Sequence, residues 1–279
     1  MVKHIIPNSL SEALDYMSKD EYKIVSGGTD LMVQKRAWAE TPPKFDQNTI
    51  YIFNLMDLKY IKKENNKIII GANYPVEKIK DFKSTPILLK KAIEIMASPA
   101  LRNLATIAGN IGNASPAGDT LPILYVHDAL VKIVSKNNSR IVPINEVILS
   151  VRKTCINKDE MIKEIIIPIL EFTKTSFVKV GGRKADAISK TSFTGAVNVK
   201  DGIVKDIRIA FGAVNVTVVR KKEIENKYKG LSVLELQSRI NEILNDYEPF
   251  IKPITDQRSN KDYRKQVSLN LLKEFINNL

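Results

Sequence analysis

The chain has 279 residues, of which 44% are hydrophobic. It is long enough for one large or two smaller domains and too apolar for a disordered chain. A formal net charge of +12 suggests an acidic partner, yet the lysines are scattered and no arginine-rich run interleaved with aromatics occurs. This argues against nucleic acid and for solvated surface, an anionic cofactor or an acidic subunit. The single cysteine, Cys155, excludes an intrachain disulfide and a cysteine-ligated zinc or iron–sulfur site, and His4 and His127 lack metal-ligand spacing. The N-terminus carries no apolar export segment, and no apolar run nears the ~18 residues of a membrane span, so the expected location is cytoplasmic.

Ser9-Leu-Ser-Glu12 is a capping box, and Leu10, Ala13, Leu14 and Met17 follow at helical spacing to about Ser18. The β-prone run from Tyr22 to Val25 ends in Gly27-Gly28, after which Thr29 and Asp30 cap a helix predicted through Trp38. Strand, glycine turn and helix N-terminus together offer amides and a positive dipole end to phosphate. The spacing is neither a G-x-G-x-x-G fingerprint nor a Walker A loop. Beyond Pro42-Pro43, Tyr51 to Leu55 reads as a buried strand. Tyr60–Glu64 and Lys67–Gly71 alternate around Asn65-Asn66, a hairpin signal. Helices are predicted over Glu77–Phe82 and Ile87–Met96, the second ended by Ser98-Pro99.

The central stretch, Thr106 to Asp119, holds three glycines, two asparagines, a proline, two hydroxyls and one carboxylate. It reads as one turn-rich loop with no apolar face to bury, too long and polar for an ordinary connection. Amides exposed in such a turn form anion-binding concavities. Lys23–Leu31 and Thr106–Asp119 are therefore read as two halves of a site for a phosphate-bearing cofactor. Alone, Gly27-Gly28 is equally readable as a plain turn, and Asp119 as a helix cap.

Leu121–Val126 reads as a helix, Leu130–Val134 and Arg140–Pro143 as a hairpin, and Met161–Pro168 as a buried strand. Composition shifts near Thr173. Thr191–Val199 and Ile203–Phe211, joined through Asp201-Gly202, form a second hairpin. Helices over about Ser232–Leu244 and Lys261–Asn277 complete an α+β C-terminal part. Lys62-Lys63 and Arg220-Lys-Lys222 read as solvated turns, and His127 as a helix-end hydrogen-bonding group.

With these motifs in place, the chain resembles the FAD-binding (medium) subunit of the molybdenum hydroxylases, the family of xanthine dehydrogenase, carbon monoxide dehydrogenase and nicotinate dehydrogenase. Five stretches carry the resemblance: Ser26-Gly-Gly-Thr-Asp-Leu31; Thr106-Ile-Ala-Gly-Asn110 with Ala114–Asp119; Glu160–Pro168; Lys179-Val-Gly-Gly-Arg183 with Asp186; and Arg258–Arg264. It implies an α+β fold with a two-lobed, PCMH-type FAD-binding domain over 1–172 (lobes about 1–56 and 57–172). A small C-terminal domain over 173–279 follows, with a three-stranded antiparallel sheet and helices.

The resemblance also implies roles. Lys23, Ile24, Val25, Ser26, Gly27, Gly28, Thr29, Asp30 and Leu31 would hold the diphosphate through backbone amides. Thr106, Ile107, Gly109 and Asn110 would bind it and the ribityl chain from the other side, with Ser115 and Gly118 in the extension. Asp119 would accept from FAD hydroxyls, Ile162 would pack near adenine or flavin, Lys179 would lie close to the cofactor, and Met96 stands where relatives carry an aromatic. No residue need act as a catalytic acid or base. Partners would be an iron–sulfur (2Fe-2S) subunit and a molybdenum-cofactor subunit, with NAD+ or another acceptor. Two alternatives stay open: a self-sufficient FAD oxidoreductase of the same fold, and an assembly subunit without FAD. One departure stands out. Ala108 replaces a glycine usual in relatives, which is tolerable if the position needs a small side chain and straining if it needs φ > 0.

Overall fold

The computed structural model describes residues 2–36, 44–184 and 186–279. Trp38 and Pro42-Pro43 lie outside these residues. The chain begins with β1 (His4–Ile5) and α1 (Leu10–Met17). Ser9 Oγ accepts from the Glu12 amide at 3.1 Å. The Glu12 carboxylate takes the Asn8 amide at 2.7 Å rather than that of Ser9, so the box closes one residue early. Next come β2 (Lys23–Val25), α2 (Leu31–Gln34) and β3 (Thr49–Tyr51), and the three strands form a parallel sheet in the order β1-β3-β2.

Two expectations change here. The helix after Gly28 is a single turn through Gln34, and Asp30 is itself αR with no side-chain capping bond. The strand expected over Tyr51–Leu55 covers Thr49–Tyr51 instead. At Ile52 the chain turns, its amide reaching Val25 O at 2.9 Å, while Leu55 and Leu58 stay buried. Burial, not strand pairing, explains that apolar run.

The hairpin of β4 (Ile61–Glu64) and β5 (Lys67–Gly71) turns on Asn65 and Asn66, whose φ of 45° and 57° suit the two-residue turn that matches strand twist. Then follow α3 (Val76–Asp81), α4 (Ile87–Glu94), α5 (Pro99–Leu104), α6 (Ile107–Asn113) and α7 (Leu121–Val126). Ser98-Pro99 opens a helix rather than ending one: Ser98 Oγ accepts from the Leu101 amide at 3.4 Å and Pro99 occupies the first turn.

After these come β6 (Leu130–Val134), β7 (Ser139–Pro143), α8 (Ile144–Val147), β8 (Ile148–Ser150), β9 (Lys153–Thr154) and β10 (Met161–Pro168). β10 is the middle of an antiparallel sheet ordered β4-β5-β10-β6-β7. Its Ile165 pairs with Ile70 and Val131, and all three are fully buried. β10 is buried on both faces along most of its length.

The C-terminal part holds β11 (Lys174–Val180), β12 (Thr191–Lys200), β13 (Ile203–Gly212) and β14 (Val219–Arg220), in that order in one antiparallel sheet. The sheet has four strands where three were expected; the fourth is two residues long. Asp201 and Gly202, at φ 54° and 72°, make the expected turn. Helices α9 (Lys222–Lys227), α10 (Val233–Ser238), α11 (Ile240–Tyr247) and α12 (Lys261–Asn277) complete it. The helix expected over Ser232–Leu244 is two, meeting at Arg239. α12 lies on β12 because Gly195 has no side chain: a Cβ there would sit 2.8 Å from the Phe275 ring. The rings of Phe193, Phe211, Phe275 and Tyr247 then pack at centroid distances of 5.5–5.6 Å.

The chain divides into two compact units. One comprises Met1–Thr85, Ser98–Ala114 and Asp128–Pro168; the other comprises Pro86–Ala97, Ser115–His127 and Ile169–Leu279. No helix among the described residues is long and apolar enough to cross a membrane.

Candidate functional site

Both glycine stretches reach their places through backbone packing. In the first unit, β2 ends at Val25 and the chain turns at Ser26-Gly27-Gly28. Gly27 is pressed on the end of α5: a Cβ would overlap the Leu104 carbonyl, 2.5 Å from its carbon. Gly28 sits at φ +66°, the left-handed region that glycine enters without a Cβ clash. Leu104 is two residues before Thr106, so this contact carries the head of α6 to the turn. Ser26 Oγ lies 2.8 Å from Asn73 Oδ1 and 3.4 Å from Thr106 Oγ1. At the far ends, Gln34 Nε2 reaches Asn113 Oδ1 at 3.3 Å.

The head of α6 corrects the central expectation. Residues 107–113 are helix, not loop. Thr106 caps it, its Oγ1 accepting from the Gly109 amide at 2.9 Å. Ile107, Ala108 and Ile111 form a buried face, so the stretch does have an apolar side. Glycines at 109 and 112 hid that face by interrupting the helical signal. Ala108 lies within the helix and is not among the residues with positive φ; it needs only to be small. The left-handed residue is Ala114, the helix C-cap, at φ 47°.

The turn leaves a row of donors open. Among the described residues, the amides of Gly27, Gly28, Thr29 and Asp30 donate to no backbone or side-chain oxygen. The same is true of Ala108 at the head of α6, whereas Ile107 closes the antiparallel bridge between Pro75 and Thr106. Unused amides in a turn and at a helix N-terminus form a neutral cradle for an anion.

In the second unit, Asp119 is buried and held on both oxygens. Lys179 Nζ lies 2.7 Å from Oδ2, and Ser189 donates to Oδ1 at 2.8 Å. The side chains of Lys179 and Asp119 are 6% and 11% exposed. Burial pushes the Asp119 carboxyl up from its ordinary value, and the ammonium and the Ser189 hydroxyl oppose that. Lys179 also meets Ile95 O at 3.3 Å, so its charge is already balanced. Asp119 does not cap α7, which starts after Thr120 without a side-chain capping bond.

The far end of α7 is pinned by two arginines. Arg208 Nη1 donates to Val126 O at 2.7 Å, and Arg220 Nη1 donates to Tyr125 O. Arg220 in turn lies 2.9 Å from Glu225, with side-chain exposures of 6% and 2%. The expectation that Arg220 belongs to a solvated turn is therefore wrong: it is a buried ion pair reaching from β14 to α7.

Residues 1–170 match the family described as "FAD binding domain in molybdopterin dehydrogenase". Residues 176–279 match "CO dehydrogenase flavoprotein C-terminal domain". The chain belongs to this molybdopterin dehydrogenase FAD-binding family. It is a flavoprotein oxidoreductase subunit, and its cofactor is FAD. It is 28% identical to the glyceraldehyde dehydrogenase medium chain of Sulfolobus acidocaldarius, with 95% of this chain and 93% of that one covered. It is 32% identical to the nicotinate dehydrogenase FAD-subunit of Eubacterium barkeri, over 70% of this chain and 68% of the relative. In fold it is similar to a carbon monoxide dehydrogenase from Hydrogenophaga pseudoflava, at a TM-score of 0.87 and 22% identity, covering 99% of this chain and 96% of that one.

The open amides suit FAD, whose diphosphate takes charge-assisted hydrogen bonds. Within residues 26–30 and 106–110 the only charged side chain is that of Asp30, so these stretches would meet the charge with backbone dipoles rather than salt bridges. Lys23 is exposed at the start of β2, and Val25 is buried behind the turn while Ile24 and Leu31 are half-buried. Ile107 is buried, and its amide lies in the bridge that joins Thr106 to Pro75. Asn110 is half-buried on α6. Ser115 Oγ accepts from the Ala117 amide at 3.3 Å, and Gly118 donates to Ser115 O at 3.0 Å, closing a turn before Asp119. Ile162 is buried in β10 opposite Ile133 and makes no hydrogen bond to either glycine stretch. Two buried residues escaped the sequence reading. Asn73 follows β5 and could have been suspected as a polar residue inside an apolar stretch; Ser189 carries no such signal.

Proposed function

We propose that this chain is the electron-transferring flavoprotein subunit of a molybdenum-containing hydroxylase. Bound FAD supplies the redox chemistry, linking iron–sulfur (2Fe-2S) clusters of one partner chain, fed by a molybdenum centre on another, to NAD+ or another acceptor. The row of unused amides from Gly27 to Asp30 carries the reading. In it, those amides and the head of α6 from Thr106 to Asn110 hold the diphosphate. Ser115, Gly118 and Asp119, with Lys179, serve the rest of the cofactor, Ile162 packs near its rings, and the FAD-binding domain spans 1–172.

The chain's residues bind and orient; none need move a proton to a substrate. With one cysteine these 279 residues cannot ligate a cysteine-bound cluster, so the clusters of the proposed pathway lie outside them. Two relatives are a medium chain and a FAD-subunit, names that belong to one chain of several, and this supports the reading. Purification of the native complex, with metal and flavin analysis of each separated chain, tests this. FAD on this chain, with iron, sulfide and molybdenum on co-purifying chains, is the expected result. A chain that purifies alone and oxidises substrate without metal refutes it.

A further inference from the structure

The two FAD stretches of the first unit are joined by a hydrogen-bond relay whose centre is a residue that neither supplies. Asn73 is 5% exposed and sits just after β5. Its Nδ2 donates to Ile52 O and lies 3.5 Å from Leu55 O. Two carbonyls on that side fix the amide's orientation, which leaves Oδ1 to accept from Ser26 Oγ at 2.8 Å. Ser26 has one hydroxyl proton, and Asn73 receives it. Across the 3.4 Å gap, Thr106 must therefore donate to Ser26. Thr106 Oγ1 in turn accepts from the Gly109 amide at 2.9 Å. Every donor in the chain Gly109, Thr106, Ser26, Asn73, Ile52 thus points one way.

We infer that Asn73 is a positioning residue for FAD: it fixes the rotation of Ser26, and through it the register between the open amides of Gly27–Asp30 and the head of α6. It touches the backbone and Ser26 and needs no contact with cofactor. The inference rests on the reading of these two stretches as the diphosphate site. Alanine at 73 removes both the acceptor and the donor, leaving Ser26 and two carbonyls to relax independently. Aspartate is more informative. As a neutral acid its carbonyl accepts from Ser26 and its hydroxyl donates to Ile52, reproducing the amide. Once ionised it has no donor and faces two carbonyl oxygens.

The test is titration of FAD into the full-length apo chain, followed by flavin fluorescence between pH 5 and pH 8, with the melting temperature of each apo variant alongside. N73A should weaken FAD binding about tenfold or more at every pH. N73D should bind weakly at the alkaline end and recover toward the parent at the acid end, a pH dependence that neither parent nor N73A shows. N73D as weak as N73A throughout, or N73A binding like the parent, overturns the inference. G28V separates the two readings. If it loses FAD while N73A does not, the turn still holds cofactor and only the role of Asn73 falls. If G28V also binds like the parent, the site assignment itself falls.

Discussion

Replacing Gly27 with alanine asks whether the two stretches are held together by backbone contact. The added Cβ would sit 2.5 Å from the Leu104 carbonyl carbon, nearer still to its oxygen, and 3.1 Å from the Ala105 nitrogen. All three are main-chain atoms, so no rotamer change relieves the overlap. The end of α5 must retreat by about 1 Å, and Thr106, two residues on, must move with it. Overpacking of this kind costs about 1–3 kcal/mol, and an obstacle made of backbone puts Gly27→Ala at the upper end. At roughly 2–4 °C per kcal/mol, the apo chain should melt about 5–10 °C lower.

Displacement of one or two amides from the diphosphate forfeits charge-assisted bonds worth about 1.5–3 kcal/mol each, so the FAD dissociation constant should rise about tenfold to a hundredfold or more. Gly112→Ala is the control. Its Cβ meets nothing within 4 Å, and it lies inside α6, where alanine is favoured over glycine by about 0.5–1 kcal/mol. Its apo melting temperature should rise slightly. Differential scanning calorimetry of both apo variants and FAD titration of Gly27→Ala decide the matter. A Gly27→Ala chain that melts and binds FAD like the parent refutes the packing argument.

Asp119→Ala strands the Lys179 ammonium, 6% exposed, without its carboxylate. Stability should drop by about 3–5 kcal/mol, and Asp119→Ala combined with Lys179→Met should recover most of it in urea denaturation. A single variant as stable as the parent would show that the pair is not buried in solution. Glu160 receives Arg140 Nε and Nη2, both at 2.8 Å, and the Asn157 amide at 2.8 Å. The Arg140 hydrogen bonds hold its carboxyl below the usual carboxylate range. A depressed carboxyl stabilises the fold above its unfolded value, near pH 4, and that contribution fades as pH falls through the folded value. Glu160→Gln should therefore melt lower than the parent at pH 7, with the gap narrowing as the pH falls below the unfolded value; a gap that does not narrow in acid excludes this linkage.

The hairpins were readable because their turns are chemical: Asn65-Asn66 and Asp201-Gly202 accept positive φ at little cost, and flanking alternation set the strands. β10 was readable to its end residues because it is apolar on both faces. The short elements were not. α5 and α6 together span Pro99 to Asn113, yet two glycines and interspersed polar residues hid their helical period, and only capping geometry at Ser98 and Thr106 defines them. The parts of the candidate site that sequence conveyed are those with conformational demands, Gly27 and Gly28. What it withheld are the groups that act across the chain: Asn73 is 47 residues from Ser26, and Ser189 is 70 from Asp119. Sequence gives no distance between them, because none lies on a common element.

In the proposed site the groups that face the ligand are amides, so the demands on sequence fall away from the ligand. An amide cannot be mutated, so what can be lost is the shape that aims it. Gly27 permits contact with Leu104, Gly28 permits the left-handed turn, and Thr106 holds the head of α6. These side chains, or their absence, act on backbone. Ala108 fits the same logic: in a helix with its methyl buried, alanine serves as well as glycine, because the peptide it carries has the same direction. A single Cβ at Gly27 is barred by the Leu104 carbonyl.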